Sequence, residues 1–422
     1  MTHPEPTGPT ERLALLARLS QHFNSSLDPD EVLDRVMDEV ITAVHAERGF
    51  VMLREADSRL VFRVARGIDQ QTIEDPSFQI SRGVVERVAT VGQPLLTSDA
   101  QHDERFSMRQ SIVTLGLRSI LCAPLIVRGQ VTGVIYADNR LRAGVFTPSD
   151  LELVAALASS AAIAIENARL YQAAVDRGRL ERELQMARDL QAGLIPQETP
   201  QAPGWEFVAR WQPAREVAGD FYDFLPGPAG RIGIVIADVA DKGLAAAIFM
   251  ALTRSTVRAS LASAATPAEG IASANRLICG DASAGMFVTL FYAQLDPSTA
   301  ELTYVNAGHN PAIVCSTHEK ERRWLERTGL ILGVDDVAAY TQRTIRLEPG
   351  DFVVLYTDGV IDAVHDDAPD ECFGEERLYE LLAAHRHEPM AQIVAALEDA
   401  LRDFTGPALP FDDVAIVAIK RL

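Results

Sequence analysis

Between Ile165 and Leu194 the chain runs without a proline and with two glycines, Gly178 and Gly193, and then meets Pro196, Pro200 and Pro203 in quick succession. A helix can cross the first stretch and not the second, because proline lacks an amide donor and disfavours helical backbone before it. The segments on either side must therefore fold as separate bodies. Leu170, Ala173, Arg177, Leu180, Leu184, Ala187, Gln191 and Leu194 follow four-three spacing, an imperfect heptad with polar breaks at Arg177 and Gln191. Two readings are open: a helix packed on its own domain, or a coiled coil that pairs two copies as a parallel homodimer. The position between domains and the charged flanks favour the second. A chain of 422 residues is also too long for one core and predicts two or three domains.

Apolar residues make up 47% and charged residues 23%, which fits a folded chain rather than a disordered or fibrous one. The formal net charge of -20 repels nucleic acid and anionic membrane surfaces. The densest basic cluster, around Arg322 and Arg323, is interrupted by acids, so no nucleic-acid partner is expected. Cys122, Cys279, Cys315 and Cys372 are scattered without CxxC spacing, which argues against a zinc site or a disulfide framework and fits a reducing cytoplasm. The N-terminus lacks the basic region and apolar run of a secretory signal. The apolar stretch Leu153–Ile165 is short and rich in small residues, which predicts a buried or interfacial helix and no membrane insertion.

Residues 1–27 read as a polar tail followed by a helix from about Thr10 to Phe23. A second helix begins after Asp28 or Asp30, with Val32, Val36, Val40 and Val44 as its apolar stripe. From Arg48 the pattern changes to strands: "GFVMLRE" with "RLVFRVARG", and "SILCAPLIV" with "QVTGVIYADN" across a turn at Arg128–Gln130. A closing helix starts at Thr147 and Pro148. The result is an α+β domain over residues 28–168, followed by a helical coiled-coil linker, residues 169–199. "GVVERVATVGQPLLTSDAQHDERF", "LRSILCAPLIVRGQVTGVIYADN" and "FTPSDLELVAALASSAAIAIENARL" resemble a GAF domain, a sensor fold for small molecules or signals. Asn139, Arg140, Phe146, Asp150 and Leu151 stand where some GAF domains carry a cyclic-nucleotide signature, but its Lys and Glu are absent, so the ligand stays unnamed. Cys122 lies in an apolar strand and reads as a small buried hydrophobe rather than a redox or haem sensor.

Residues 200–422 read as strands ("GWEFVARWQPA", "RIGIVIADV", "MFVTLFYAQL", "AELTYVNAG", "PAIVCS", "DFVVLYTDG", "DVAIVAIKRL") with helices in blocks between them. The turn "DPST" predicts an antiparallel hairpin, and "GPAGRIG" has the irregular glycines of a hairpin turn, not of a nucleotide loop. Helices in blocks favour an α/β sandwich with antiparallel sheets over a doubly wound parallel sheet. Asp238 closes "IGIVIA", Asp358 closes "DFVVLYT", Asp412 and Asp413 open "VAIVAI", and Asp220 follows Gly219 in "EVAGDFYDF". Each alone is an ordinary strand-end aspartate. Gathered together without equal numbers of basic residues, they would repel unless a multivalent cation neutralised them. Oxygen donors without His or Cys select hard ions, Mn2+ or Mg2+, and two such ions can activate water and clamp a phosphoryl group.

"EVAGDFYDF", "IADVADKGLAAAIFM", "MFVTLFYAQLD", "YVNAGHNPA", "LEPGDFVVLYTDGVIDA" and "FDDVAIVAI" occur in the order of the metal-dependent PPM, or type 2C-like, serine/threonine phosphatases, and resemble the SpoIIE/RsbU branch. The resemblance implies that Asp238 bridges two metals with the Val239 carbonyl as a further ligand. It implies that Asp358 and Asp412 bind one metal and that Asp220 stands beside the second, directly or through water. Asp413 is the lesser alternative to Asp412. Arg215 matches a phosphate-holding arginine, with a solvated surface arginine as its other reading. His309 is expected to shape a turn beside the site, and Asp223 to face water or orient its neighbours. Ala237, Ala240, Asp241 and Ala415 depart from the branch pattern without removing a proposed ligand.

The resemblance implies a cytoplasmic signalling phosphatase in which a GAF sensor controls hydrolysis of phosphoserine or phosphothreonine. In this branch the substrate is a phosphorylated STAS-type anti-sigma factor antagonist. The rival is a catalytically weak or inactive phosphatase-like interaction protein. A kinase or cyclase output has no glycine-rich nucleotide loop or phosphoacceptor helix to support it.

Overall fold

Asp28 accepts amide hydrogens from Asp30 and Glu31, so the second helix starts where a capping carboxylate meets Pro29. The computed structural model describes residues 9–422 apart from 56, 68, 70, 73–79, 99, 101–116, 283–284, 317–321, 367 and 407–411. The sensor-like stretch "DAQHDERF" therefore falls largely outside the described residues, as do the first residues of the tail and Phe411 of the last phosphatase motif. The chain divides into two units, Met1–Leu180 and Glu181–Leu422.

The first unit contains α1 (Pro9–Phe23), α2 (Pro29–Val44), β1 (Arg48–Arg54), β2 (Leu60–Gly67), α3 (Arg82–Val91), β3 (Leu95–Thr97), β4 (Ser119–Val127), β5 (Gln130–Asn139) and the first part of α4 (Pro148–Ala192). Its five strands form one antiparallel sheet in the order β2-β1-β5-β4-β3. Alternation along the strands divides the core by face. Ile135 and Ala137 pack with α2 and the start of α4, whereas Val134 and Tyr136 pack with Val84, Val85 and Val88 of α3. Cys122 is buried on the α3 face, and burial pushes its thiol up, as a small core hydrophobe requires. Helix α3 was not expected: four valines and a start without a side-chain cap bond make it a poor local helix signal.

The residues of the incomplete cyclic-nucleotide signature have structural work. Asn139 and the Arg140 amide hold Glu47, Phe146 is buried, and Asp150 accepts from the Thr147 amide and hydroxyl to start α4. The stretch Leu153–Ile165 belongs to this 45-residue helix, longer than its apolar run implied. By length and composition, both Pro148–Ala192 and Leu244–Ser263 are apolar enough to cross a membrane. Val154, Leu157, Ala158 and Ala161 are instead fully buried in the core of the first unit.

In the second unit β6 (Trp205–Gln212), β7 (Phe221–Pro226), β8 (Ile232–Val239), α5 (Leu244–Ser263), α6 (Pro267–Asp281), β9 (Val288–Asp296), β10 (Glu301–Ala307), β11 (Ala312–Cys315), β12 (Arg323–Leu325), β13 (Arg343–Arg346), β14 (Phe352–Tyr356), α7 (Asp358–Ile361), β15 (Val364–His365), β16 (Ala368–Cys372), α8 (Gly374–Ala384), α9 (Met390–Thr405) and β17 (Val414–Arg421) follow in turn. Two antiparallel five-stranded sheets result, β13-β10-β9-β8-β7 and β12-β11-β14-β17-β6. Val353, Leu355, Val417 and Ile419 face the core shared with the first sheet, while Phe352, Val354, Ile416 and Ala418 face α8 and α9. Helices α5 and α6 cover the first sheet. The "DPST" hairpin joins β9 and β10, and "GPAGRIG" turns β7 into β8, both in the sense expected.

Candidate active site

Strand direction brings the proposed acids together. Phe221 pairs with Ala237, so Asp220, just before β7, lies at the same sheet end as Asp238 near the end of β8. Tyr356 pairs with Ile416, so Asp358, just after β14, lies at the same end of the other sheet as Asp412, just before β17. Charge interactions then link the two sheets, from Asp238 to Asp412 and from Asp358 to Asp238. Residues from four places in the sequence thus share one electrostatic environment.

That environment is hostile to negative charge. Asp220 is 2% exposed, and its Oδ2 is buried with no hydrogen-bond partner. Burial, then the charge of Asp238, holds Asp220 well above the ordinary carboxylate range. Burial also raises Asp238, with the charges of Asp412 and Asp413 adding to it. Asp358 is pushed up to about 7, by burial first and then by Asp238 and Asp412. Each shift reports desolvated acids facing one another.

The loops that carry these acids are tightly tied. Asp413 accepts from the Ala214 and Gly219 amides at 2.8 Å each, so both its oxygens are committed to pinning the loop that leads to Asp220. Gly219 fits closely there, since a Cβ would sit 3.0 Å from the Val239 carbonyl oxygen and push against it. A Cβ on Gly359 would sit 2.0 Å from the Asp413 carbonyl, which fixes glycine after Asp358. Thr357, missed in the sequence, takes the Ala415 amide on its hydroxyl at 2.8 Å and lowers the pKa of Asp220 by a side-chain hydrogen bond. Gln191 was read as a polar break in the linker heptad. It is buried at the end of α4, donating to the Ala218 carbonyl at 2.6 Å and accepting from the Ala218 amide at 2.9 Å.

The remaining residues separate by their partners. Asp223 does not face water: it is 1% exposed and ion-paired with Arg254 and Arg258 of α5. Arg215 is exposed in the bend between Ala214 and Gly219, both held by Asp413. His309 is buried, bonded to Thr289 at 2.7 Å, and Thr289 is the cross-strand neighbour of Asp238. Burial pushes its imidazole down to about 4, so it is neutral near pH 7 and suits a turn-shaping role better than proton transfer. Asp241 has φ +84°, backbone that favours glycine, which explains why its departure from the branch pattern is strained.

Among the described residues no three His, Cys, Asp or Glu side chains already surround one point as a finished metal cage. The acids meet pairwise. The orphaned Asp220 oxygen, the all-oxygen donor set and the Val239 carbonyl beside Gly219 fit a hard divalent cation and fit neither zinc nor copper.

Residues 228–422 match the family model "Stage II sporulation protein E (SpoIIE)", and residues 28–165 match the GAF domain model. The chain joins a GAF domain to a SpoIIE-type PPM phosphatase domain. It is 31% identical over 267 residues to Protein IcfG of Synechocystis sp., a match that covers 57% of this chain and 41% of that protein. It is 28% identical over 246 residues to the phosphoserine phosphatase RsbU of Bacillus subtilis, covering 57% of this chain and 71% of that protein. The SiaA-PP2C domain of Pseudomonas aeruginosa shares the fold at a TM-score of 0.52 and 21% identity, covering 58% of this chain and 99% of that one.

Proposed function

We propose that the SpoIIE-type domain is a Mn2+- or Mg2+-dependent phosphoserine/phosphothreonine protein phosphatase. The observation that carries the reading is the group of desolvated, mutually repelling acids Asp220, Asp238 and Asp358, with the charge of Asp412 beside them and an unpartnered oxygen on Asp220. Asp238 would bridge two ions, aided by the Val239 carbonyl, while Asp358 and Asp412 would hold one and Asp220 would stand beside the other. When bound, such ions supply Lewis acidity and activate water for attack on phosphorus. Asp413 keeps the Asp220 loop in place, and Arg215, on the same pinned loop, would meet the substrate phosphate.

The relation to RsbU supports a phosphorylated STAS-type anti-sigma factor antagonist as substrate, in the cytoplasm. The GAF domain would set activity through the linker. Leu170 and Leu180 are 54% and 56% exposed on α4, which supports a parallel homodimer through this helix. Hydrolysis of p-nitrophenyl phosphate with and without MnCl2 tests the activity. Wild type should turn over with Mn2+, and Asp238→Asn and Asp358→Asn should each lose that activity while staying folded. Wild-type rates in both variants would overturn the site. A wild type inert with Mn2+ would favour the interaction-protein reading.

A further inference from the structure

We propose that Lys242 is a built-in counter-cation of the acid cluster, which a divalent ion must displace in order to bind. The inference rests on the metal-dependent reading above. Lys242 lies in the loop after β8, and its Nζ reaches Asp412 Oδ2 at 2.7 Å, across 170 residues of sequence. Its charge also acts on Asp238, opposing the repulsion from Asp412 and Asp413. Among the described residues this is the ion pair that reaches the cluster, and it falls on a proposed metal ligand. Asp223, three residues from Asp220, is neutralised quite differently, by two arginines that touch none of the proposed ligands.

The residue type supports displacement. The chain uses lysine at only three positions, 242, 320 and 420, and arginine for its other basic side chains. Lys420 is 7% exposed and donates to two backbone carbonyls, so it is locked in place. The Lys242 side chain is 42% exposed and has a solvent path by which to leave. An ammonium is a compact charge on a flexible stem, whereas guanidinium grips a carboxylate with a rigid fork. A lysine here steadies the acids and still gives way; an arginine would hold Asp412 more firmly.

Titration of MnCl2 into the whole chain by calorimetry tests this. Removing one positive charge beside the site should tighten binding, so Lys242→Gln should bind Mn2+ about tenfold more tightly than wild type. Lys242→Arg should bind it no better than wild type. Acetylation by an N-hydroxysuccinimide ester, read by mass spectrometry, gives a readout independent of activity: Mn2+ should speed labelling of Lys242 and leave Lys420 unchanged. Equal or weaker Mn2+ affinity in Lys242→Gln, or labelling of Lys242 indifferent to Mn2+, overturns the proposal while leaving the phosphatase reading intact. Failure of both wild type and Lys242→Gln to bind Mn2+ overturns the two together.

Discussion

Asp220 and Asp223 lie three residues apart and are almost equally buried, yet they are stabilised in opposite ways. Asp223 has Arg254 at 3.1 Å and Arg258 at 2.7 Å. Asp220 has an orphaned oxygen and other aspartates around it. Buried charge is tolerated when paired, and an unpaired buried acid must either take up a proton or be neutralised by a bound cation. On the proposed reading the first acid belongs to the chemistry of the domain, while the second is part of its architecture.

That contrast is broken most forcefully at Asp223. Asp223→Ala leaves Arg254 and Arg258 without their buried carboxylate partner and should destabilise the C-terminal domain by about 3 kcal/mol, whether or not Mn2+ is present. Urea unfolding followed by tryptophan fluorescence measures it, and a loss that Mn2+ fully restores would place Asp223 with the metal ligands instead. A smaller effect is expected at Gln191. Gln191→Ala removes two hydrogen bonds to Ala218, about 1 kcal/mol each, and should lower Mn2+-dependent kcat about tenfold by loosening the Asp220 loop. Unchanged kcat would reduce Gln191 to a packing role.

The linker shows what sequence can and cannot convey. Its continuity through Gly178 and its end before Pro196 were legible, because helix breaking is local. The role of Gln191 was not, since its partner lies 27 residues away in a loop. The same division runs through the phosphatase domain. Asp238 and Asp358 stood out as the acids that end apolar strands. Strand β7 was missed because its buried Asp223 looks unfavourable until the arginines 31 and 35 residues later are brought to it. The pairing of Lys242 with Asp412 is longer in range still, and only the meeting of two sheets reveals it.

Two finer effects sharpen the comparison. Because Asp358 is raised to about 7 in the folded chain, the metal-free domain binds more protons folded than unfolded between about pH 4 and pH 7. The stability this acid contributes is complete below its unfolded pKa and is lost as pH rises through about 7. Metal-free Asp358→Asn should therefore match wild type near pH 4 and melt at a higher temperature near pH 8. A gap of opposite sign would show that Asp358 is stabilised as an anion. The smallest effect belongs to Asp241, whose φ of +84° glycine would relieve. Asp241→Gly should stabilise the domain by up to about 1 kcal/mol in the same unfolding experiment; a loss of stability would show that the Asp241 side chain outweighs its strain.

The central claim is that Asp220, Asp238, Asp358 and Asp412, none of them held by an arginine among the described residues, form a metal site and that the arginine-paired Asp223 does not belong to it. Calorimetric titration of MnCl2 into the metal-free chain tests it most directly. The account predicts two Mn2+ ions per wild-type chain and none in Asp238→Asn. A wild type that binds no Mn2+, or an Asp238→Asn variant that binds it as wild type does, would contradict it.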